Sequence, residues 1–143
     1  MPATVPPETS PQQPEPAKRF KYTRAHRLGG DKQFQAVFAN KLRKSSGPLA
    51  VLALPNDLPH HRFGMTVSRR VGNAVKRSRI KRYLREAFRL NQHDLPGRYD
   101  LVVIVYPHEV LKLEEYADHL AKAVGQLHTV ATKRAARHAE GAL

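Results

Sequence analysis

The chain has 143 residues, 41% of them hydrophobic, with 25 Lys and Arg against 12 Asp and Glu and a formal net charge of +13. That length suits one domain with tails, and so large an excess of cations predicts a polyanionic partner, either nucleic acid or an anionic membrane surface. The absence of Cys excludes disulfides, thiol nucleophiles and Cys-ligated zinc. No apolar run approaches the ~20 residues that a bilayer span needs, and no secretory signal is present, so we expect a cytoplasmic chain.

Tails are predicted at both ends. Residues 1–17 are rich in Pro, Gln, Glu and Thr and lack the apolar surface that would offset the entropy cost of ordering, so we predict a disordered Pro-rich tail. Residues 133–143 are predicted to form a fraying helix end or a flexible C-terminal tail. One folded domain, residues 18–132, remains between the tails, and it is predicted to begin with an extended lead-in.

A short helix is predicted early in the domain. Asp31 follows two glycines and could cap a helix over residues 32–40, KQFQAVFAN. Phe34, Val37 and Phe38 recur along it at helical spacing. We therefore expect this helix to have one apolar side.

Two strands are predicted next. Residues 49–54, LAVLAL, form a short apolar run that ends at a Pro-rich loop. Residues 62–68, RFGMTVS, alternate between apolar and polar side chains, which is typical of a half-buried strand. We expect the two strands to pair as a hairpin around the loop.

The stretch from Arg69 to Arg89 predicts a helix with an apolar side and a basic side. Its sequence is RRVGNAVKRSRIKRYLREAFR, in which Glu86 is the only acidic residue. When the stretch is turned by about 100° per residue, the apolar side chains gather on one arc and most of the cations lie opposite. Asn73, or Ser68 one turn earlier, suits the N-cap position.

A buried strand and a second amphipathic helix complete the domain. Residues 100–106, DLVVIVY, predict a strand covered on both faces. From Leu113 to about residue 130, apolar side chains recur at helical spacing. The basic helix lies between the strands at 62–68 and 100–106, and this order favours a β-α-β unit with parallel strands.

The unpaired cations of the basic helix predict a nucleic-acid surface. The simplest alternative is a solvated charged face, but such a face normally mixes signs in i to i+4 pairs. Here several cations, among them Lys76, Arg77 and Arg79, lie in the first turns, where the helix dipole disfavours positive charge. Arg also outnumbers Lys, and guanidinium groups match phosphate oxygens bidentately. Membrane binding fits less well, because the apolar side is needed for the core and the chain has no Trp.

Two aromatic residues are candidates for a groove that binds a single strand. Phe34 and Phe38 lie four residues apart on the short first helix. Aromatic surfaces beside a basic groove suit single-stranded nucleic acid, because every base offers a π-face. Both residues are equally compatible with ordinary positions in the core.

The motif FGMTVSRRVGNAVKRSRIKRYLREAFR resembles the signature of the bacterial ribonuclease P protein component. FQAVF before the first strand, GRYDLVVIVYP after the basic helix and the helix from LEEY onward follow in the family's order. The resemblance covers roughly residues 19–130. The strand LAVLAL departs from the family's pattern, since many relatives carry an aromatic residue on it.

The resemblance implies an α+β fold, in which a small mixed sheet of about four strands packs in two layers with an N-terminal helix, the basic crossover helix and a C-terminal helix. The β-α-β crossover would be left-handed, against the usual right-handed rule. The resemblance also implies a protein subunit of ribonuclease P that joins a catalytic RNA, binds precursor tRNA and assists the removal of its 5′ leader. The free protein is expected to be a monomer.

By matching position, the resemblance implies that the basic helix and the turn before it face the catalytic RNA. It also implies that a cleft between the first helix and the sheet holds the leader, with Phe34 and Phe38 as its aromatic residues. The positions that inherit contact with the catalytic RNA are Arg69, Arg70, Asn73, Lys76, Arg77, Arg79, Lys81, Arg82 and Arg85.

No protein active site is predicted. The acidic residues have no paired-carboxylate spacing, and the eight His form no metal-ligand pattern. We therefore expect no catalytic and no metal-binding residue in this chain, with hydrolysis resting on Mg²⁺ held mainly by the RNA subunit. Two alternatives stay open: another structural or ribosome-associated RNA-binding protein, and an independent metal-dependent nuclease.

Overall fold

The computed structural model describes residues 22–141, so the predicted Pro-rich tail lies outside the described residues. A 3-10 turn precedes the first helix and another precedes the second. In chain order, the elements are α1 (Asp31–Ala39), β1 (Arg43–Ser46), β2 (Leu49–Pro55), β3 (Arg62–Val67), α2 (Ala74–Asn91), β4 (Tyr99–Val105) and α3 (Leu113–Gly141).

The four strands form one mixed sheet in the order β1-β2-β4-β3. β2 is antiparallel to both β1 and β4, whereas β3 is parallel to β4. The predicted parallel β-α-β unit is confirmed as β3-α2-β4, and the hand of its crossover stays a prediction. The sequence of β1, RKSS, is polar throughout and offers no apolar pattern from which a strand could be predicted.

The expected hairpin between the strands at 49–54 and 62–68 is wrong, because β4 lies between β2 and β3 and pairs with both. The physical reason is burial. Five of the seven residues of β2 and six of the seven residues of β4 are buried, so these two strands take the centre of the sheet. β3 carries polar side chains on one face and lies at an edge, where they reach solvent.

Apolar side chains cover both faces of the sheet. On one face, α2 and α3 pack against alternate residues of the strands, and the ring of Phe63 stacks on that of Phe88 with 4.7 Å between their centres. On the other face, Val37 of α1 packs with Leu52 and Val102. The α+β class is confirmed, with α1 across the sheet from the other two helices.

Two helix boundaries differ from the predictions. The N-cap of α1 is Gly30, at φ +79°, and Asp31 is the first helical residue, where its charge favours the helix dipole without capping the helix. α3 continues to Gly141, well beyond its predicted end near residue 130, so residues 133–141 form the end of this helix, which was one of the two interpretations of that stretch. This extension has no apolar stripe, but its Ala, Lys and Arg are strong helix formers. Across residues 22–141, no helix is both long and apolar enough to span a membrane.

Candidate nucleic-acid interface

α2 begins at a defined cap just after β3. Asn73 is the N-cap, and its side-chain oxygen accepts a hydrogen bond from the backbone N–H of Lys76 at 2.9 Å. This confirms Asn73 as the cap, whereas Ser68 precedes a separate 3-10 turn. Arg77 folds back and donates from Nε to the carbonyl of Gly72 at 3.1 Å. These contacts fix the direction in which the first turn of α2 presents its cations.

The predicted division of α2 into an apolar and a basic side is confirmed. The buried side chains are Ile80, Leu84, Ala87 and Phe88, with Tyr83 partly buried against the same core. The predicted RNA-binding cations lie on the remaining surface. Arg69, Arg70, Arg79, Arg82 and Arg85 are exposed, and Lys76, Arg77 and Lys81 are half-buried.

These eight cations are not neutralised by nearby acid. Among the described side chains, the ion pairs are Arg62–Asp100 and Arg89–Glu86, and neither involves one of the eight. Arg89 engages the one acid of the basic stretch, with 2.5 Å between Nη2 and Glu86 Oε2. The hydrogen bond from Arg89 lowers the pKa of Glu86, so this carboxylate stays ionised and paired with its own neighbour. The outer side of α2 therefore carries a positive charge that described acids do not balance.

Two shallow depressions lie on this side of α2, around Val75, which is 71% exposed. The first has a volume of about 340 Å³ and is lined by Ala74, Val75, Ser78, Arg79 and Arg82. The second has a volume of about 430 Å³ and is lined by Asn73, Val75, Lys76, Arg79, Glu109 and Val110. Arg79 belongs to both, so its side chain lies where the two depressions meet.

A cleft lies between α1, the edge of β3 and α2. Its volume is about 310 Å³, and its lining consists of Tyr22, Arg27, Leu28, Phe34, Phe63, Gly64, Met65 and Arg85. A wider depression of about 790 Å³ adjoins it and shares Tyr22 and Arg27 with it. Arg85 thus belongs to this cleft, whereas Arg79 and Arg82 lie at the depressions around Val75.

Phe34 enters the cleft because residue 64 is glycine. A Cβ on Gly64 would lie 2.7 Å from Cζ of Phe34, so the ring rests directly on the backbone of β3. Phe38, one helical turn further on, is 39% exposed and does not line the cleft. The structure therefore separates the two predicted aromatic residues, with Phe34 in the cleft and Phe38 outside its lining.

Sequence reasoning misses two residues of the cleft, Tyr22 and Arg27. The Tyr22 ring packs edge-on against Phe63 and Phe88, with centre distances of 6.3 and 5.9 Å, and burial raises the pKa of its hydroxyl. The guanidinium carbon of Arg27 lies 5.8 Å from the centre of the Tyr22 ring. The alternation of aromatic and basic residues in KYTRAHR was the available signal, but the contact with β3 that makes it a wall of the cleft is not local.

Arg62 is a structural cation. Its Nε and Nη2 lie 2.8 and 2.6 Å from the two carboxylate oxygens of buried Asp100, and this hydrogen bonding raises the pKa of Arg62. Asn56 donates to the same carboxylate at 2.9 Å. The charge of Arg62 is therefore balanced within the fold, unlike the charges on α2.

In the described part of the chain, no group of three or more His, Asp or Glu side chains is arranged to hold a metal ion.

The fold and this surface define a small α+β protein in which an unneutralised cationic helix adjoins an aromatic cleft. The sequence matches the Ribonuclease P family over residues 22–128. The structure is similar to that of the Staphylococcus aureus RNase P protein, with 26% identity, a TM-score of 0.59, and coverage of 71% of this chain and 94% of that one. It is also similar to the Thermotoga maritima RNase P protein, with 28% identity, a TM-score of 0.56, and coverage of 67% and 92%.

The chain belongs to the bacterial ribonuclease P protein family. The resemblance found in its sequence is thereby confirmed. Membership associates the chain with the ribonuclease P enzyme complex and tRNA processing, and it implies an RNA partner.

Proposed function

We propose that this protein binds the catalytic RNA of ribonuclease P through the outer side of α2, and the 5′ leader of precursor tRNA in the cleft beside Phe34. The proposal depends on one observation. The cations of α2 have no acidic partners among the described residues, and they adjoin a cleft with an aromatic wall. Arg85 connects the two regions, because it projects from α2 and lines the cleft. A bound RNA can therefore contact both regions at once.

The contribution of α2 is electrostatic. Its cations repel one another in the free protein, and an RNA backbone relieves that repulsion while it releases condensed counterions. Arg79 and Arg82 are exposed and line one depression, so two guanidinium groups can approach neighbouring phosphates. Phosphate binding here would reduce the repulsion between RNA strands that meet at this surface.

The contribution of the cleft is selection of a single strand. The Phe34 ring offers a surface on which an unpaired base can stack, while Arg27 and Arg85 lie in the same lining to meet phosphates. A leader is single-stranded where it leaves the tRNA, so it can present its bases in this way. The protein would thus favour the precursor over mature tRNA, which has no leader.

Hydrolysis is assigned to the RNA subunit and to Mg²⁺ that it holds, which would supply an activated water and stabilise the leaving oxygen. The residues of this chain bind the leader and hold the scissile phosphate in position. We place the protein in the cytoplasm, where precursor tRNA is made, because a chain without Cys needs no oxidising compartment.

The test is 5′ maturation of a precursor tRNA by the catalytic RNA of the same organism, at a Mg²⁺ concentration too low for the RNA alone. We expect added protein to restore cleavage and to tighten binding of the precursor but not of mature tRNA. Phe34→Leu should reduce that preference, since it removes the ring and keeps an apolar side chain.

Two other outcomes would contradict the proposal. Cleavage by the protein without the catalytic RNA would favour an independent nuclease. Binding to the RNA without any effect on cleavage would favour a structural RNA-binding protein.

A further inference from the structure

A second group of cations lies at the β1 edge of the sheet, where the end of α3 meets the start of β1. We call it the β1-edge surface, and its members, all exposed, are Lys41, Arg43, Lys133, Arg134 and Arg137. Arg134 joins the two elements, because its Nη1 donates to the backbone carbonyl of Asn40 at 3.0 Å. The cations of α3 lie beyond residue 128, where the match to the family ends.

This surface arises because two stretches without acid meet. No Asp or Glu occurs between Asp31 and Asp57, or between Asp118 and Glu140. None of the five cations forms an ion pair with a described carboxylate. Arg43 contacts the hydroxyl and ring of Tyr106, which is a neutral partner. Among the side chains that the structure describes, the β1-edge surface is therefore as little neutralised as the outer side of α2.

The two basic surfaces are far apart. β1 and β3 are the opposite edges of the sheet, and α2 follows β3. On α3, the ring of Tyr116 lies 6.0 Å from that of Tyr83 on α2, and Arg134 follows Tyr116 by about 27 Å along the helix axis. That length along α3 exceeds the Debye length of about 8 Å at physiological ionic strength, so Arg134 interacts only weakly with charges near Tyr83 on α2.

Stabilisation of the helix dipole explains only part of this surface. Cations in the last turns of α3 favour the negative end of the helix. Lys41 and Arg43 lie outside that helix, yet they complete the same surface. Lys41 also has φ +57°, a conformation in which Gly or Asn is usual. A lysine at this position therefore costs some conformational energy of the backbone.

We propose that the β1-edge surface binds the phosphate backbone of a second segment of the catalytic RNA, so that the protein bridges two segments of one folded RNA. This inference rests on the proposed function, which supplies the RNA bound at α2. Exposed Arg and Lys side chains at a helix end and a strand edge suit phosphates in preference to base edges. The contact would be independent of sequence and sensitive to salt.

The test compares two double variants of the full chain that lose the same charge. Lys133→Gln/Arg137→Gln removes two cations from the β1-edge surface and leaves the Arg134 contact in place. Arg98→Gln/Lys122→Gln is the matched control, with both positions exposed and Lys122 about 16 Å before Lys133 along α3. Thermal unfolding is measured for both variants, because loss of Arg137 near the negative end of α3 should lower the midpoint slightly, and binding is compared at a temperature where both variants are folded.

The measurement is the affinity for the ribonuclease P RNA of the same organism over a range of KCl concentrations. Each duplex phosphate contact contributes about −0.9 to the slope of log K against log salt. We expect Lys133→Gln/Arg137→Gln to make the slope shallower by about 1 to 2, while the control keeps the wild-type slope. Hydroxyl-radical footprinting should show two protected RNA segments, of which this variant loses one.

Equal slopes for the two variants, or loss of the same segment that α2 protects, would overturn the bridging proposal. Arg79→Gln/Arg82→Gln, measured in parallel, separates this failure from failure of the proposed function. If it weakens binding while the β1-edge variant behaves as the control does, the role of α2 stands and the second surface is refuted. If no variant weakens binding, or the wild-type protein does not bind this RNA, both proposals fail.

Discussion

The absence of a side chain at position 64 determines the shape of the cleft. β-strands favour β-branched and aromatic residues, and a glycine within a strand often marks a close approach of another group. Here the group is the Phe34 ring, which occupies the space that a Cβ would fill. The sequence RFGMTVS contains this glycine, but only the fold reveals that an aromatic ring from α1 depends on it.

Gly64→Ala is expected to displace the Phe34 ring from the backbone of β3. The added methyl group would overpack the site and lower the free energy of unfolding by about 1–3 kcal/mol. It should also weaken binding of a labelled single-stranded RNA, measured by fluorescence anisotropy at a temperature where the variant stays folded.

Gly29→Ala is the matched control for this substitution, because a Cβ there meets no atom within 4 Å. Equal RNA affinity for the two alanine variants would mean that the position of Phe34 does not matter for binding.

At the scale of the secondary-structure element, the cations in the first turn of α2 destabilise the start of this helix. Its first turn contains no acidic residue, and Lys76 and Arg77 oppose the helix dipole. The cap at Asn73 therefore satisfies a backbone N–H that neighbouring carboxylates cannot help to stabilise. Asn73 was also predicted to contact RNA, so its two roles need to be separated.

Replacing Asn73 by Ala and by Ser separates these roles. Asn73→Ala should lower the free energy of unfolding by about 1 kcal/mol, measured by urea denaturation, because the capping hydrogen bond is lost. Asn73→Ser keeps a capping oxygen and should restore most of that stability. We expect the Ser variant also to bind the catalytic RNA as the wild type does. Wild-type stability with lost RNA affinity would instead assign the Asn73 amide to RNA contact.

The elements that could be predicted are those with a local signal. The two sides of α2 follow from helical periodicity, and the buried β4 follows from its run of apolar residues. β1 has no such pattern, and the order of strands depends on which runs are most buried. Leu52 illustrates the limit: the apolar run LAVLAL predicts burial, but only the fold shows that Leu52 packs beneath α1 with Val37 and Val102.

The candidate site also contains residues that could be predicted from the sequence and residues that could not. The cations of α2 were predictable, because their density without acid is visible along the sequence. Phe34 could be named but not distinguished from Phe38, since both lie on one side of the same helix. Tyr22 and Arg27 are held at the cleft by contacts with Phe63, about 40 residues away, and no local pattern encodes such a contact.

For the whole molecule, resistance to acid depends on a buried histidine between the loop before β3 and the start of β4. The Nδ1 atom of His61 accepts from the backbone N–H of Tyr99 at 3.0 Å, so Nε2 carries the proton and donates to the carbonyl of Leu95 at 3.2 Å. Protonation of His61 at Nδ1 would turn this atom into a donor. It would then face the backbone N–H of Tyr99, which is also a donor, and their hydrogen bond would be lost. Burial lowers the pKa of His61, and burial together with His60 and His93 lowers that of His26.

The sign of the pH effect follows from these directions. An unfolded chain has its His pKa near 6.5, above the folded values, so it binds more protons as the pH falls. The stabilisation is fully present above about pH 6.5 and is lost below it, with a slope of up to about 1.4 kcal/mol per pH unit for each such group. Urea denaturation between about pH 5 and 7.5 measures this slope.

His61→Gln, which cannot titrate, should flatten the slope and lower the stability at neutral pH. Parallel curves for the variant and the wild type would mean that acid sensitivity arises elsewhere.

The order of the strands has a consequence for biosynthesis. β4 follows the other three described strands along the chain, yet it is the strand through which β3 is joined to β2. A nascent chain that ends before residue 99 contains both neighbours of the central strand but not the strand itself. β1 and β2 are adjacent in sequence and can pair before β4 is made, whereas the pairings of β2 and β3 with β4 are distant in sequence and have to wait for β4. The cationic helix between β3 and β4 thus completes its apolar contacts only after β4 has joined the sheet.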